Sequence, residues 1–182
     1  MSYNYCVDPV GEYVDDTACG AQQFEGGGKD LVLFLDALPA DPSDGTEINA
    51  LITSGSARLV TNVKAGLSAP SAQESTALVA CATPTVSTYD RELTITDGKV
   101  SSENVDFWNS INASAGIRIV GALIHECAED RVTFIDKTIS FRGGRILPDN
   151  NDADLQRFEM TGLFKSKGDP TIHDLPVGVF PV

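Results

Sequence analysis

The sequence predicts a mainly β fold, a β-sandwich or barrel with one amphipathic α-helix packed against it. About eight to ten short runs rich in β-branched and aromatic residues are separated by turn-forming residues, as in such folds. Only the segment 102–114 has the apolar spacing of an amphipathic helix. We therefore expect an extended acidic N-terminal arm over residues 1–30 and a single β-rich domain over residues 31–182.

The predicted helix begins after Ser101 or Ser102, because serine is a favoured N-cap residue. Phe107, Trp108 and Ile111 follow at spacings that bring them to one apolar face. We expect these three side chains to be core anchors that hold the helix on a sheet. A ligand-stacking role for Trp108 is the alternative.

The strand predictions depend on apolar runs and on alternation. The predicted β segments lie in residues 31–38, 48–63, 76–99, 116–127, 131–146 and 157–166. Residues 116–127 and 131–146 are separated by a short polar turn, which is typical of a hairpin. Residues 157–166 alternate apolar and polar side chains, the pattern of a half-buried strand. The proline-containing tail after residue 167 is expected to be extended and to dock on a sheet edge.

The net charge of −13 argues against proteins that read nucleic acid by sequence, since such proteins neutralise phosphates with basic residues. Residues 1–50 hold ten acids and one base. An acidic surface can instead let a polyanion pass without sticking, or it can simply aid solubility. The chain contains no apolar run of membrane-spanning length and starts without a signal peptide, so we expect synthesis in a cytosol and no membrane partner.

The four cysteines, Cys6, Cys19, Cys81 and Cys127, are expected to be free buried thiols, with a Cys6–Cys19 bridge or a metal site as alternatives. His125 and Cys127 would lie on the same face of a strand and are the weak candidates for metal ligation. Zinc usually takes four ligands in such sites, so we predict neither a metal centre nor a cofactor.

No catalytic motif supports an enzyme. The acidic segment 149–156 lacks the glycine and the glutamate of an EF-hand loop. The segment 25–30 lacks the spacing of a phosphate-binding loop. The chain contains two histidines, so acid–base catalysis has few candidate groups. We therefore predict a protein that is not an enzyme.

Long loops and an arm that carries aromatic side chains are typical of subunits that assemble with one another. The predicted oligomer interface comprises the arm and the loops around residues 39–47, 68–75 and 148–154. Its candidate residues are Tyr3, Tyr5, Tyr13, Phe24, Asp41, Asp44, Asp149, Asp152 and Asp154.

Residues 87–112 and 130–166 resemble phage tail tube proteins. The shared pattern is a strand, a short helix with a central aromatic pair, a long hairpin, and a closing strand with alternating aromatic residues. The resemblance covers roughly residues 76–182. Related folds build the tail and neck rings of short-tailed phages, including the crAss-like group.

The resemblance implies a virion protein, assembled in the host cytoplasm, that forms a sixfold or twelvefold ring or tube. Its partners would be further copies and other tail, neck and portal proteins, and DNA would pass transiently through an acidic channel. A head decoration protein is the first alternative. A glycan-binding or hydrolytic β-sandwich module is the second, and it would need two carboxyl groups roughly 5–10 Å apart.

Overall fold

The computed structural model of the chain describes residues 29–69, 71–75, 85–99, 101–112, 119–126, 130–147 and 157–180. Along these residues lie β1 (Lys29–Phe34), α1 (Gly45–Ser54), β2 (Ala57–Leu67), β3 (Ser71–Ser75), β4 (Thr85–Asp97), α2 (Ser102–Ser110), β5 (Gly121–Glu126), β6 (Arg131–Ile135), β7 (Ser140–Leu147), β8 (Arg157–Ser166) and β9 (Thr171–Asp174). The predicted mainly β class is confirmed. Neither of the described helices combines the length and apolar character needed to cross a membrane.

The described strands form one antiparallel sheet in the order β7-β8-β4-β2-β1-β5-β6-β9, and β3 also pairs with β4. The sheet divides at β2. Residues 57–63 of β2 pair with β1, whereas residues 64–67 pair with β4. We call β1, β5, β6, β9 and the first part of β2 half-sheet A. Half-sheet B comprises β3, β4, β7, β8 and the last part of β2.

The division of β2 coincides with a β-bulge. Between two paired positions, Asp30 of β1 is opposed by Thr61 and Asn62 of β2. Asn62 has a positive φ of 50°, and its backbone N–H donates to Oδ1 of Asp30 at 2.8 Å. Because a bulge bends its strand and increases the local twist, it lets β2 leave half-sheet A and enter half-sheet B.

The two half-sheets share one core. Buried side chains of β1, such as Leu31 and Leu33, belong to the same cluster as Leu93 of β4 and as Phe158 and Met160 of β8. The predicted alternation of β8 is confirmed, since every second residue from Phe158 to Phe164 is buried. The halves therefore face each other as the layers of a sandwich do.

The predicted core anchors are confirmed: Phe107, Trp108 and Ile111 are fully buried in this core. Ser101 is the N-cap of α2, and its side chain accepts the backbone N–H of Asn104 at 3.2 Å. The Trp108 ring lies 6.1 Å from the ring of Phe158 and parallel to it. The helix ends at Ser110, earlier than the predicted residue 114.

A carboxylate in the first turn of α2 is favourably placed. Hydrogen bonds from the backbone N–H of Glu103, and then from Ser102 and Ser101, lower the pKa of the Glu103 carboxyl group. The stabilisation that the ionised form gives is therefore present above the ordinary pKa of glutamate. It is lost as the pH falls through the lowered value of the folded protein.

The other face of half-sheet A is covered by α1 and by the C-terminal segment. Val32 and Phe34 of β1 form a second cluster with Ile48 of α1 and with Val179 and Phe180. The strand β9 pairs with β6, so the predicted docking of the tail on a sheet edge is confirmed. Half-sheet A is thus buried on both faces.

The prediction of a strand over residues 48–63 and of a single helix was wrong, because α1 occupies the first part of that segment. Asp44 is its N-cap and accepts the N–H groups of Thr46 and Glu47, at 2.8 and 3.3 Å. Oε1 of Glu47 accepts the backbone N–H of Ala40 at 2.8 Å. Gly55, with a φ of 84°, is the C-cap of the helix. These caps outweigh the β-branched residues of the segment.

The predicted run 131–146 is also divided. β6 pairs with β5 as the expected hairpin in half-sheet A, whereas β7 pairs with β8 in half-sheet B. Residues 136–139 connect the two half-sheets. A continuous β pattern in sequence does not reveal a transfer from one layer to the other.

Gly45, the first residue of α1, should tolerate no side chain. A Cβ atom there would collide with the carbonyl oxygen of Val177, although alanine is the better helix former. We expect Gly45→Ala to lower the free energy of unfolding by about 1–3 kcal/mol, measured by urea denaturation. The exposed substitution Thr53→Ala in the same helix should be neutral or slightly stabilising. A Gly45→Ala protein as stable as the parent would contradict this packing.

Candidate functional site

The outer face of half-sheet B is the face that points away from the shared core. Along β4 and β8, the residues that alternate with the buried ones are exposed or half-buried, among them Glu92, Thr94, Leu163 and Lys165. No element within the described ranges covers them. Half-sheet B therefore presents a polar face, whereas half-sheet A is covered on both sides.

A groove of about 930 Å³ lies on this face. It crosses β4, β8 and β7 and is bounded by Ser68 and Ala69, between β2 and β3, and by Lys137 and Thr138, before β7. Its charged lining residues are Asp90, Arg91, Glu92, Lys137, Arg142 and Lys165. We call it the outer groove.

Strand register brings these charges together. Asp90 of β4 is paired with Lys165 of β8. Two residues further along β4, Glu92 is paired with Leu163, and Leu163 is paired on its other side with Ser140 of β7. Lys165 Nζ lies 3.8 Å from Asp90 Oδ1. The outer groove thus places side chains of opposite charge beside the apolar side chain of Leu163.

Basic residues are prominent in this groove. On the connection before β7, Lys137 Nζ lies 3.0 Å from Oδ1 of Asp136, and both side chains are substantially exposed. Arg142 of β7 is exposed, and no carboxylate within the described ranges forms an ion pair with it. On a chain of net charge −13, a face that carries an unmatched guanidinium is distinctive.

Arg91 has a different role from its neighbours on β4. It is next to Glu92 on the strand, so its side chain points to the opposite face, where it is buried. Its guanidinium pairs with the carboxylate of Asp169, which lies between β8 and β9. A buried guanidinium is costly unless it is paired. This ion pair therefore ties the β8–β9 connection to β4 and helps to fix one end of the outer groove.

His125 of β5 is buried under the C-terminal segment. Its Nδ1 lies 3.9 Å from Oδ2 of Asp30, and its ring stacks on Phe180 with centroids 4.8 Å apart. Asp30 was missed by the sequence reasoning, since only the pairing of β1 with β5 brings it opposite His125. Cys127, like the other three cysteines, lies outside the described residues. Within the described ranges, no three His, Cys, Asp or Glu residues gather as metal ligands would.

The predicted interface residues fall mostly outside the described part of the chain. This holds for Tyr3, Tyr5, Tyr13, Phe24, Asp149, Asp152 and Asp154. The other two have local roles at the start of α1. Oδ1 of Asp41 accepts the N–H of Ser43 at 2.9 Å, and Asp44 is the helix N-cap. Both are exposed, and their interface role stays a prediction.

Two carboxylates line the outer groove on the same strand. Asp90 and Glu92 are two residues apart on β4 and so project from the same face, with Cα atoms about 6–7 Å apart by strand geometry. The sequence reasoning named this kind of carboxylate pair without identifying the residues. The groove can therefore pair with charged groups of either sign.

Removing the Asp30 carboxylate should destabilise the bulge of β2. Asp30→Ala leaves the partly buried N–H of Asn62 without its acceptor, so we expect a loss of about 1–3 kcal/mol in the free energy of unfolding. Asp30→Asn keeps an Oδ1 acceptor and should lose less stability. The exposed substitution Asp36→Ala is the control, and its free energy of unfolding should equal that of the parent. Equal losses for Asp30→Ala and Asp30→Asn in urea denaturation would show that the acceptor is unimportant.

The described chain thus offers an uncovered sheet face, a groove with paired and unpaired charges, and a His–Asp pair buried beneath the C-terminal segment. Among the described residues, the first two lie at the surface, whereas the third is enclosed by Phe180. No protein-family model, curated protein or solved structure matches this chain.

Proposed function

We propose that this protein is a non-enzymatic structural protein of a phage virion that assembles with copies of itself into a ring or tube of the tail or neck. The observation that carries the proposal is the outer face of half-sheet B, which no element of the described ranges covers, together with its groove. A subunit that joins others needs a preformed surface of this kind, and a groove with opposite charges gives specificity and register.

The order of elements supports this proposal. In the segments that resemble phage tail tube proteins, β4 is followed by α2 with the aromatic pair Phe107 and Trp108. The β5–β6 hairpin comes next, and β8 closes the series with alternating buried residues. The resemblance implies a strand, a helix with an aromatic pair, a long hairpin and a closing strand; here β7, which pairs with β8, lies between the hairpin and the closing strand.

The sheet ends supply further surfaces for contact. β7 and β9 end the main path of the described sheet, and an unpaired edge can pair with another chain. On β7, Phe141 forms a single bridge with Asn112, whereas no described strand pairs with the outer edge of β9. Ile172 on β9 is 65% exposed, and Val177 in the following segment is 88% exposed. A head-to-tail contact that used different surfaces of the two partners would close into a ring if the rotation permits.

The outer face of half-sheet B is better suited to protein than to DNA. Lys165 and Arg142 on this face would hold a passing polyanion by its phosphates. In our proposal, therefore, this face contacts neighbouring subunits, and any DNA channel is lined by other, more acidic parts of the chain.

The oligomeric state tests the proposal. Purified full-length protein should form closed rings or tubes at high concentration, observed by mass photometry and electron microscopy. Leu163→Glu, which replaces the apolar side chain in the centre of the outer groove by a carboxylate, should weaken assembly at least about tenfold, because this carboxylate must lose its water when the contact forms. Thr53→Glu, at an exposed position of α1 outside the groove, is the control and should assemble like the parent.

Persistent monomers at high concentration, which also fail to join other virion components, would contradict the proposed function. Unfolding curves for both variants separate a loss of assembly from a loss of folding. An effect of Thr53→Glu as large as that of Leu163→Glu would show that the outer groove is not the contact surface.

A second candidate function is favoured by Asp90 and Glu92. Two carboxylates in one groove are the arrangement that glycoside hydrolases use, and a groove of this size can hold a sugar chain. Incubation with a panel of glycans should release no sugar if the structural role is right. Hydrolysis that is lost in Asp90→Asn and Glu92→Gln, with folding unchanged, would replace the structural role with this one.

A further inference from the structure

We propose that the outer groove binds residues 1–28 of a neighbouring copy of this chain. The inference rests on the proposed function, since a contact of this kind would join one subunit to the next.

All the charged side chains of the donor segment are acidic. Residues 1–28 contain five carboxylates and no lysine or arginine. The carboxylates are Asp8, Glu12, Asp15, Asp16 and Glu25. Such a segment carries a charge of −5 into whatever surface receives it, so its acceptor should present basic side chains.

The acceptor offers those side chains. Lys137, Arg142 and Lys165 line the outer groove, and Arg142 has no ion pair with a carboxylate in the described part of the chain. Lys165 lies 3.8 Å from Asp90, outside ordinary hydrogen-bond distance, and its side chain is largely exposed. Lys165 can therefore take up a second carboxylate, and Arg142 can bind one with two parallel hydrogen bonds.

The groove also suits the apolar part of the segment. Leu163 lies between Glu92 and Ser140 on the groove floor, with strand backbone on either side. The segment contains Tyr3, Tyr5 and Tyr13, whose rings have an apolar body and a polar tip. An aromatic ring over Leu163, flanked by ion pairs, is a usual arrangement for an interface core with a polar rim.

Reach does not limit the contact. An extended segment of 28 residues spans up to about 95 Å, well beyond the diameter of a single domain of this size. The segment can therefore reach the groove of its own domain or that of a neighbour. Only binding to a neighbour joins subunits, so we place the segment in the groove of the next copy.

Charge reversal on each side tests the contact in the full-length protein. The groove variant carries Lys137→Glu, Arg142→Glu and Lys165→Glu. The arm variant carries Asp8→Lys, Asp15→Lys and Asp16→Lys. In either variant alone, the segment and the groove carry charges of the same sign and repel each other. We therefore expect assembly to weaken at least about tenfold in mass photometry. A control with Lys64→Glu, Arg157→Glu and Lys167→Glu changes the net charge by the same amount as the groove variant, at exposed positions outside the groove, and should assemble like the parent.

Recombining the variants tests which copy supplies the segment. A chain that carries both sets of reversals has matching charges again and should regain assembly. An equimolar mixture of the groove variant and the arm variant should also assemble, with both chains in equal amounts, because each arm then meets an oppositely charged groove on its neighbour. A mixture that stays dissociated while the doubly reversed chain assembles would place the segment in its own domain and overturn the proposal.

The outcomes separate this inference from the proposed function. If the parent assembles and the groove variant assembles equally well, the groove is not the acceptor, and the structural role stands. If the parent itself never assembles, the structural role fails and the inference fails with it. Should a variant unfold, a synthetic peptide of residues 1–28 added to the parent provides a second measurement. It should inhibit assembly, and a peptide with the three lysines in place of Asp8, Asp15 and Asp16 should not.

Discussion

The fold depends on β2 belonging to two half-sheets at once. Its first part pairs with β1 and its last part with β4, so the bulge at Thr61 and Asn62 fixes how the two layers face each other. Three polar contacts hold that bulge. Asp30 accepts the N–H of Asn62, and Lys99 Nζ donates to the carbonyl and the hydroxyl oxygen of Thr61, each at 3.0 Å. Without them the bend would expose backbone groups to an apolar core.

The same polar cluster also places α2. Asp97 ends β4, and its carboxylate accepts the indole N–H of Trp108 at 2.9 Å and the backbone N–H of Lys99 at 2.8 Å. Asn104 donates to the carbonyl oxygen of Lys99 at 3.0 Å. A buried network of this kind rigidifies a core when its members are satisfied. The bend of β2, the end of β4 and the start of α2 are therefore one connected unit, and this unit determines where the outer face of half-sheet B lies.

Features with a local signal were predictable from the sequence, and features that need distant residues were not. The alternation along β8 and the apolar face of α2 were read correctly, because each is set by neighbouring residues. The helix α1 was missed although Asp44, Glu47 and Gly55 mark its ends, since β-branched residues inside the segment suggested a strand. Asp90 and Lys165 meet in the outer groove only through strand pairing across a long stretch of chain, and no spacing in the sequence encodes that register.

The covering of half-sheet A by the last described residues has a consequence for biosynthesis. β1 lies near the start of the described chain and pairs with β5, and its outer face is sealed by Val179 and Phe180. A ribosome must therefore translate almost the whole domain before this layer is shielded from water. Until then its apolar side chains are open to chaperones and to premature aggregation, and the many long-range contacts make completion slow. A chain shortened so that it lacks Val179 and Phe180 would keep the apolar side chains on this face of half-sheet A exposed after folding.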